Sequence, residues 1–446
     1  MQETSFAVES VRARRLSTLD GARRERWHTA LRWLLVVPCL FFARHGIHAG
    51  LRPEGSDFTI YYQAGRAVLA GQDPTLVPRF LYLPAFAVAV APLALLPYAA
   101  ALVLWQAASL AALLWIVARC RRMCERELGR ELPWLEWAPL LCTLRLVDSS
   151  FANGQANLLV LGIVVGAIDA WLLGRDRRAG VLVGCATALK IEPGFLVLVF
   201  AWRRAGRAFL AAVVSALLLV VPLSALALGW HDDSAGLVRW FQVQVVPYLR
   251  GGRELLAAHE VLPGQSLTAA AYRLLCDAPA SSNEAGSRAN LVALGPEQVK
   301  SIVRALQLGL LALLAATLTR SVRRSDRGAR LREAALVACA ALALAPLVHK
   351  AHMAWLLLPY AVLLSGTPAG LTSLERGLRW TLIALSVFAI GATAPAVLGR
   401  SLATWTLTHD SVFVGLLCVM GVLVLDTWCA RGVPRESRRA ALAERS

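Results

Sequence analysis

The chain has 446 residues, 57% of them hydrophobic and only 17% charged, which is too apolar for an ordinary soluble protein of this size. Apolar stretches of roughly 15 to 22 residues recur from end to end, each about long enough to cross a hydrocarbon core, so the chain is read as an all-α polytopic membrane protein. The formal net charge of +17 does not imply a nucleic-acid partner. The arginines fall in short runs between apolar segments, around Arg14, Arg121, Arg177, Arg204, Arg323 and Arg438, which is the positive-inside pattern of cytoplasmic loops and not one basic domain.

Residues 1–29 are Arg-rich without an apolar core and read as a retained cytoplasmic segment, not a cleavable leader. The membrane domain is expected over 30–430, with a basic cytoplasmic tail at 431–446. The first span is expected from Ala30 to Ala43, followed by a long outer loop to Arg79. Leu81 to Pro97 is apolar but broken by Pro84, Pro92 and Pro97. Full crossing would put the Arg119 run outside, so this piece is read as re-entrant, with Ala99 to Ala118 making the inward crossing.

Leu135 to Val147 then runs outward and Leu158 to Leu173 returns. Ala179 to Trp202 has arginines at both ends and Lys190, Glu192 and Pro193 at its centre, which fits a hairpin of two short helices. Phe209 to Leu228 leads to a second outer loop of roughly seventy residues, long enough to suggest a functional role; within it, Leu237 to Tyr248 suits an amphipathic helix lying at the interface. Five further spans bring the expectation to about ten crossings plus the hairpin, with both termini inside. No nucleotide-binding loop, soluble domain or fixed-period repeat is present in the sequence. That excludes a nucleotide-driven pump and an enzyme with a cytoplasmic nucleotide-sugar domain.

Chemistry must then come from polar residues in spans and outer loops. Asp57, just after the first apolar segment, is placed to take a proton from a hydroxyl group; the competing reading is a cap for a helix beginning at Phe58. Lys190 is an intramembrane cation, costing about 2.5 to 3.5 kcal/mol on insertion scales, which a lipid phosphate would offset. Pairing with Glu192 or snorkelling to the interface would also account for it. His349, Lys350 and His352 form a compact polar cluster suited to a phosphate. A metal there would lack a third local ligand. Asn153 and Gln155, in an Asn-Gly-Gln-Ala-Asn turn, and Gln265 and Ser266 offer amides and hydroxyls to a sugar, though turn and cap roles are commoner for such residues.

In order, these pieces resemble glycosyltransferase family 87, whose best-known members are polyprenol-phosphate-mannose-dependent alpha-1,2-mannosyltransferases of the GT-C membrane fold. The resemblance runs through Asp57-Phe58, Tyr61-Tyr62, Tyr82-Leu83-Pro84, Asn153-Gly154-Gln155-Ala156-Asn157, Lys190-Ile191-Glu192-Pro193, Gln265-Ser266-Leu267, and Pro346 with His352 and Trp355. It departs at Leu83, Gly264, His349 and Glu192. It implies a GT-C type helix bundle in a bacterial inner membrane, with its active site on the outer side. It also implies inverting transfer of a sugar from a polyprenyl-phosphate donor to a glycolipid or polysaccharide acceptor, with no cofactor and no metal. By the same resemblance Asp57 is the catalytic base. The resemblance places Lys190 and His352 at the donor phosphate; the residues themselves add His349 and Lys350 as expected phosphate contacts, and Tyr61, Tyr62, Asn153, Gln155, Gln265 and Ser266 as expected contacts of sugar or acceptor. A flippase for the same lipid-linked sugar, or an inactive scaffold, is the alternative.

Overall fold

The computed structural model describes residue 30 and residues 37–52, 55–247, 264–277, 288–324 and 328–429. The basic segment at 1–29, the tail at 431–446, the start of the first expected span and part of the second outer loop lie outside the described residues. Regular structure among the described residues is helical, apart from one isolated bridge between Cys276 and Leu294. A first helical stretch covers residues 37–50. After it come α1 (Asp57–Leu69), α2 (Tyr98–Leu128), α3 (Ala138–Ala152), α4 (Asn157–Leu172), α5 (Asp176–Leu189), α6 (Phe195–Trp202), α7 (Gly206–Leu218) and α8 (Trp230–Trp240).

Four helices among the described residues are long and apolar enough to cross a membrane: Tyr98–Leu128, Gly206–Leu228, Pro296–Arg323 and Ser411–Cys429. A fifth candidate is Ser373–Ala392 taken with Pro395–Thr408, which bend by 90°. About ten crossings were expected from the apolar runs. The difference arises because several of those runs form helices too short for a full span, such as Asn157–Leu172 and Lys350–Leu364. A run's hydropathy does not reveal where its helix breaks. Pro84 to Leu95, within the segment expected to be re-entrant, is a seven-residue α-helix that passes into a five-residue 3-10 turn, too short to span.

Lys190 is placed by close packing on the helix before it. A Cβ at Gly180 would lie 2.2 Å from the Ala208 carbonyl oxygen, and one at Gly184 would lie 2.0 Å from Ser215 Oγ. The Gly-x-x-x-Gly stripe of α5 therefore lets its backbone lie directly against α7, the means by which helices pack in lipid. α5 ends at Leu189, Lys190 leaves helical geometry, and a 3-10 turn at Glu192–Gly194 leads into α6. The segment is thus two short helices with Lys190 and Glu192 at the join.

Aromatic rings form the floor beneath the start of α1. Tyr61 packs against Tyr82, Phe86 and Trp105 with centroids 5.2, 4.8 and 5.7 Å away. Elsewhere, buried ion pairs lock the C-terminal half: Arg379 Nε lies 2.8 Å from Asp426, and Arg273 Nη2 lies 2.5 Å from Asp410. Such pairs hold one arrangement of elements firmly, since removing one partner strands the other charge. The Arg119 run is not a loop as expected but the end of α2, where Arg126 and Arg119 approach Asp169 at 2.7 and 3.4 Å.

Candidate active site

Asp57 is the first residue of α1, and Ser56 is the residue that caps it. The Ser56 N–H donates to Thr59 Oγ1 at 3.0 Å, so the cap is built from Ser56 and Thr59. The carboxylate of Asp57 is turned instead toward Gln155, whose side-chain amide donates to Asp57 Oδ2. The two segments are joined through their backbones as well, by the Asp57 N–H on the Asn153 carbonyl at 2.9 Å. Gly154 makes that approach possible: its φ is +61°, and an added Cβ would lie 2.8 Å from Ser56 Oγ and 3.0 Å from Phe58 Cβ. Trp105 Nε1 fixes the same turn by donating to the Gly154 carbonyl at 3.0 Å.

α1 is not among the candidate spans. Burial pushes the Asp57 carboxyl above the ordinary carboxylate range, while the Gln155 hydrogen bond and the charges of Arg79 and Lys190 act in the opposite direction. A carboxylate that is half-buried, raised in basicity and still reachable is suited to accepting a proton.

From Gln155 the hydrogen bonds continue inward. Gln155 Oε1 accepts from Asn157 Nδ2 at 2.8 Å, and Asn157 Oδ1 accepts from Lys190 Nζ at 2.6 Å. A carboxylate only accepts and an ammonium only donates, so the two ends fix which way both amides point. Every donor in the run is directed toward Asp57. Asn157 is fully buried, and its backbone carbonyl accepts from Trp355 Nε1 at 3.1 Å. Lys190 also lies 3.5 Å from Glu192 Oε1, so the pairing alternative is realised together with the amide contact.

His352 is buried and within electrostatic reach of Lys190. Its Nδ1 accepts from the His349 N–H at 3.2 Å. The ring is therefore the neutral tautomer carrying its proton on Nε2, a donor suited to a phosphate oxygen. His349 lies beside it, ring centroids 5.8 Å apart. Lys350 is within electrostatic reach of Arg145 and Asp148 on α3.

Residues 80–346, more than half of the chain, match glycosyltransferase family 87. The chain belongs to glycosyltransferase family 87. Among relatives, it is similar to a polyprenol-phosphate-mannose-dependent alpha-(1-2)-phosphatidylinositol mannoside mannosyltransferase of Mycobacterium tuberculosis (strain ATCC 25618 / H37Rv), 30% identical over 234 residues that cover 47% of this chain and 53% of that protein. It is also similar to a polyprenol-phosphate-mannose-dependent alpha-(1-2)-phosphatidylinositol pentamannoside mannosyltransferase of Mycobacterium tuberculosis (strain CDC 1551 / Oshkosh), 27% identical over 402 residues that cover 85% of this chain and 83% of that protein. The chain thus spans about half the length of the first relative and most of the second. No solved structure matches.

Within this family 87 chain, the matched region holds Gln155, Asn157 and Lys190, while Asp57 and His352 flank it. The fold brings together Asp57, Gln155, Lys190 and His352. Tyr61 lies below them, its hydroxyl 2.7 Å from that of Tyr82. Tyr62 is turned away and donates to the Leu96 carbonyl at 2.8 Å. Asn153 contributes its backbone, while its side chain donates to the Ser149 carbonyl at 2.7 Å.

Gln265 and Ser266 are fully buried and serve the C-terminal helices. Gln265 Nε2 donates to the Leu407 carbonyl at 3.0 Å, Gln265 Oε1 accepts from the Phe413 N–H at 3.1 Å, and Ser266 caps the helix Leu267–Leu275. Sequence reasoning did not single out Asn157, Tyr82, Trp355 or Arg79 as site residues. Asn157 had a signal, as the last residue of the Asn-Gly-Gln-Ala-Asn turn.

Proposed function

We propose that this family 87 protein is an inverting glycosyltransferase that moves mannose, or another hexose or pentose, from a polyprenyl-phosphate donor to an envelope glycan or glycolipid. In this reading, residues 30–430 form a GT-C type bundle in a bacterial inner membrane, its short and broken helices completing about ten crossings. The basic segments 1–29 and 431–446 lie in the cytoplasm and the site faces outward.

The observation that carries the reading is the hydrogen-bonded run from Asp57 to Lys190, which sets a proton acceptor and a phosphate-binding cation at the two ends of one rigid unit. The acceptor hydroxyl gives its proton to Asp57 as its oxygen attacks the anomeric carbon from the face opposite the phosphate. The bond from that carbon to the phosphate oxygen breaks, and its electron pair leaves with the polyprenyl phosphate. Negative charge thereby moves from Asp57 to the leaving phosphate, where Lys190 and the Nε2–H of His352 stabilise it. A positioned base contributes about a hundred- to ten-thousand-fold, or roughly 3 to 5 kcal/mol.

The purified protein, given a panel of polyprenyl-phosphate sugars and candidate acceptors, is expected to release polyprenyl phosphate. The names of both relatives carry polyprenol-phosphate-mannose, so the mannose donor is the first to test. Donor binding without release in every combination would leave the reading without support.

A further inference from the structure

A second group of polar side chains lies on the far side of the 3-10 helix Lys350–Leu356 from His352. α3 packs along this helix and brings Arg145 and Asp148 within electrostatic reach of Lys350. Arg145 Nη1 donates to the Ile390 carbonyl at 3.0 Å and to Thr393 Oγ1 at 2.5 Å, yet its buried Nε has no partner. Lys350 makes no hydrogen bond or ion pair with the described residues. The carboxylate within its reach, Asp148, already takes a hydrogen bond from His45 Nδ1 at 2.9 Å. Lys350 thus has a second cation near it, and the carboxylate within its reach is already engaged. His45 and Asp148 are 38% and 34% exposed at their side chains, so the group opens to the surface.

Like charges held together at partial burial repel unless an anion joins them. The groups present are those that hold phosphoryl oxygens well: a guanidinium with an unspent N–H, an ammonium and an imidazole edge. The site is distinct from the one at Lys190. Lys350 and His352 are two residues apart on a helix of three residues per turn, so they face different directions.

Arg145 also lies on the helix whose end receives the Asp57 N–H through Asn153. Eight residues separate Arg145 from Asn153, about 12 Å along a helix at 1.5 Å per residue. A single lipid headgroup can cover that distance.

We infer that Arg145 and Lys350 form a second phosphoryl-binding site, which holds the phosphate of an anionic lipid acceptor while its sugar hydroxyl reaches Asp57. The acceptor assignment rests on the function proposed above; the phosphoryl site itself does not. Lys350 spends no hydrogen bond on the fold, so its replacement removes charge and leaves the packing in place.

The test measures binding to the full-length protein in detergent with three probes: dioctanoyl phosphatidylinositol, dioctanoylglycerol and farnesyl phosphate. Lys350→Met is expected to weaken dioctanoyl phosphatidylinositol at least tenfold and to leave farnesyl phosphate within about twofold. Lys190→Met is expected to do the reverse, and Lys350→Arg to restore binding. The inference is overturned if Lys350→Met weakens farnesyl phosphate instead, which would assign the site to the donor. It is also overturned if dioctanoylglycerol weakens equally, if Lys350→Arg fails to restore binding, or if the wild type does not bind dioctanoyl phosphatidylinositol. Failure of the wild type to transfer sugar would count against the proposed function alone, because these probes report binding without turnover.

Discussion

Lys190 and Asp57 stand at the two ends of one unbroken run of side-chain hydrogen bonds through Asn157 and Gln155, in which every donor is directed toward the carboxylate. The cation of the proposed phosphate site and the proposed base are therefore coupled through two oriented amides as well as through space. What happens to either amide should be felt at Asp57.

Removing the amide contact should shift the pH dependence of the reaction. Gln155 donates to the ionised form of Asp57, so Gln155→Met raises the Asp57 pKa above its already elevated value. A hydrogen bond to a charged group is worth about 1.5 to 3 kcal/mol, or about one to two pH units. Because the base must be ionised, the acid limb of kcat/KM is expected to move to higher pH. Asn157→Leu should move it the same way by a smaller amount, since it frees Gln155 to turn. A pH–rate profile checks both, and a uniform loss with an unmoved limb would mean that the amides serve only the fold.

Stability should respond to Asp57 in the opposite sense from activity. Its folded-state pKa lies above the ordinary value, so the folded protein favours the neutral acid. The stability cost of ionisation is absent below the ordinary carboxylate pKa and is fully present above the folded-state pKa. Asp57→Asn should therefore melt at or slightly above the wild-type temperature at pH 7. The advantage should fade as pH falls through that window. Thermal unfolding followed at several pH values in detergent checks the sign.

Gly154 should tolerate no side chain. Its positive φ and the 2.8 Å approach to Ser56 Oγ mean that Gly154→Ala both strains the turn and pushes it from α1, at a cost of about 1 to 3 kcal/mol. Transfer is expected to fall more steeply than thermal stability, because the displaced turn carries Gln155. Parallel activity and melting measurements separate the two effects.

At His352, the neutral tautomer leaves Nε2–H as the useful group. His352→Gln keeps a neutral donor and should retain more transfer than His352→Ala, with about a ten- to hundredfold difference between them, in keeping with one hydrogen bond to a charged oxygen. Equal activity of the two variants would remove the donor role.

Much of the site was legible because polar residues in an apolar chain are conspicuous. Asp57, Gln155, Lys190 and His352 each break an otherwise apolar or turn-like stretch, and the fold brings all four together. Sequence could not show how polar atoms are shared out. Gln265 and Ser266 look as available as Gln155, yet their polar atoms are taken by Val348, Leu407, Phe413 and Pro346. Tyr61 and Tyr62 are neighbours in sequence but project from α1 in different directions, so only Tyr61 reaches the site floor. Lys350 and His352 divide for the same reason on a 3-10 turn. The number of crossings was the least legible feature, because apolar runs such as Leu158 to Leu173 and Met353 to Leu364 form helices shorter than a full span, whereas the prolines of Leu81 to Pro97 and Ala179 to Trp202 already marked those two segments as broken.

The most direct measurement is release of polyprenyl phosphate from polyprenyl-phosphate mannose by purified wild type and Asp57→Asn, with donor binding measured on the same samples. The account predicts that Asp57→Asn binds donor like the wild type and releases polyprenyl phosphate about a hundred- to ten-thousand-fold more slowly. Release at the wild-type rate by Asp57→Asn would contradict it.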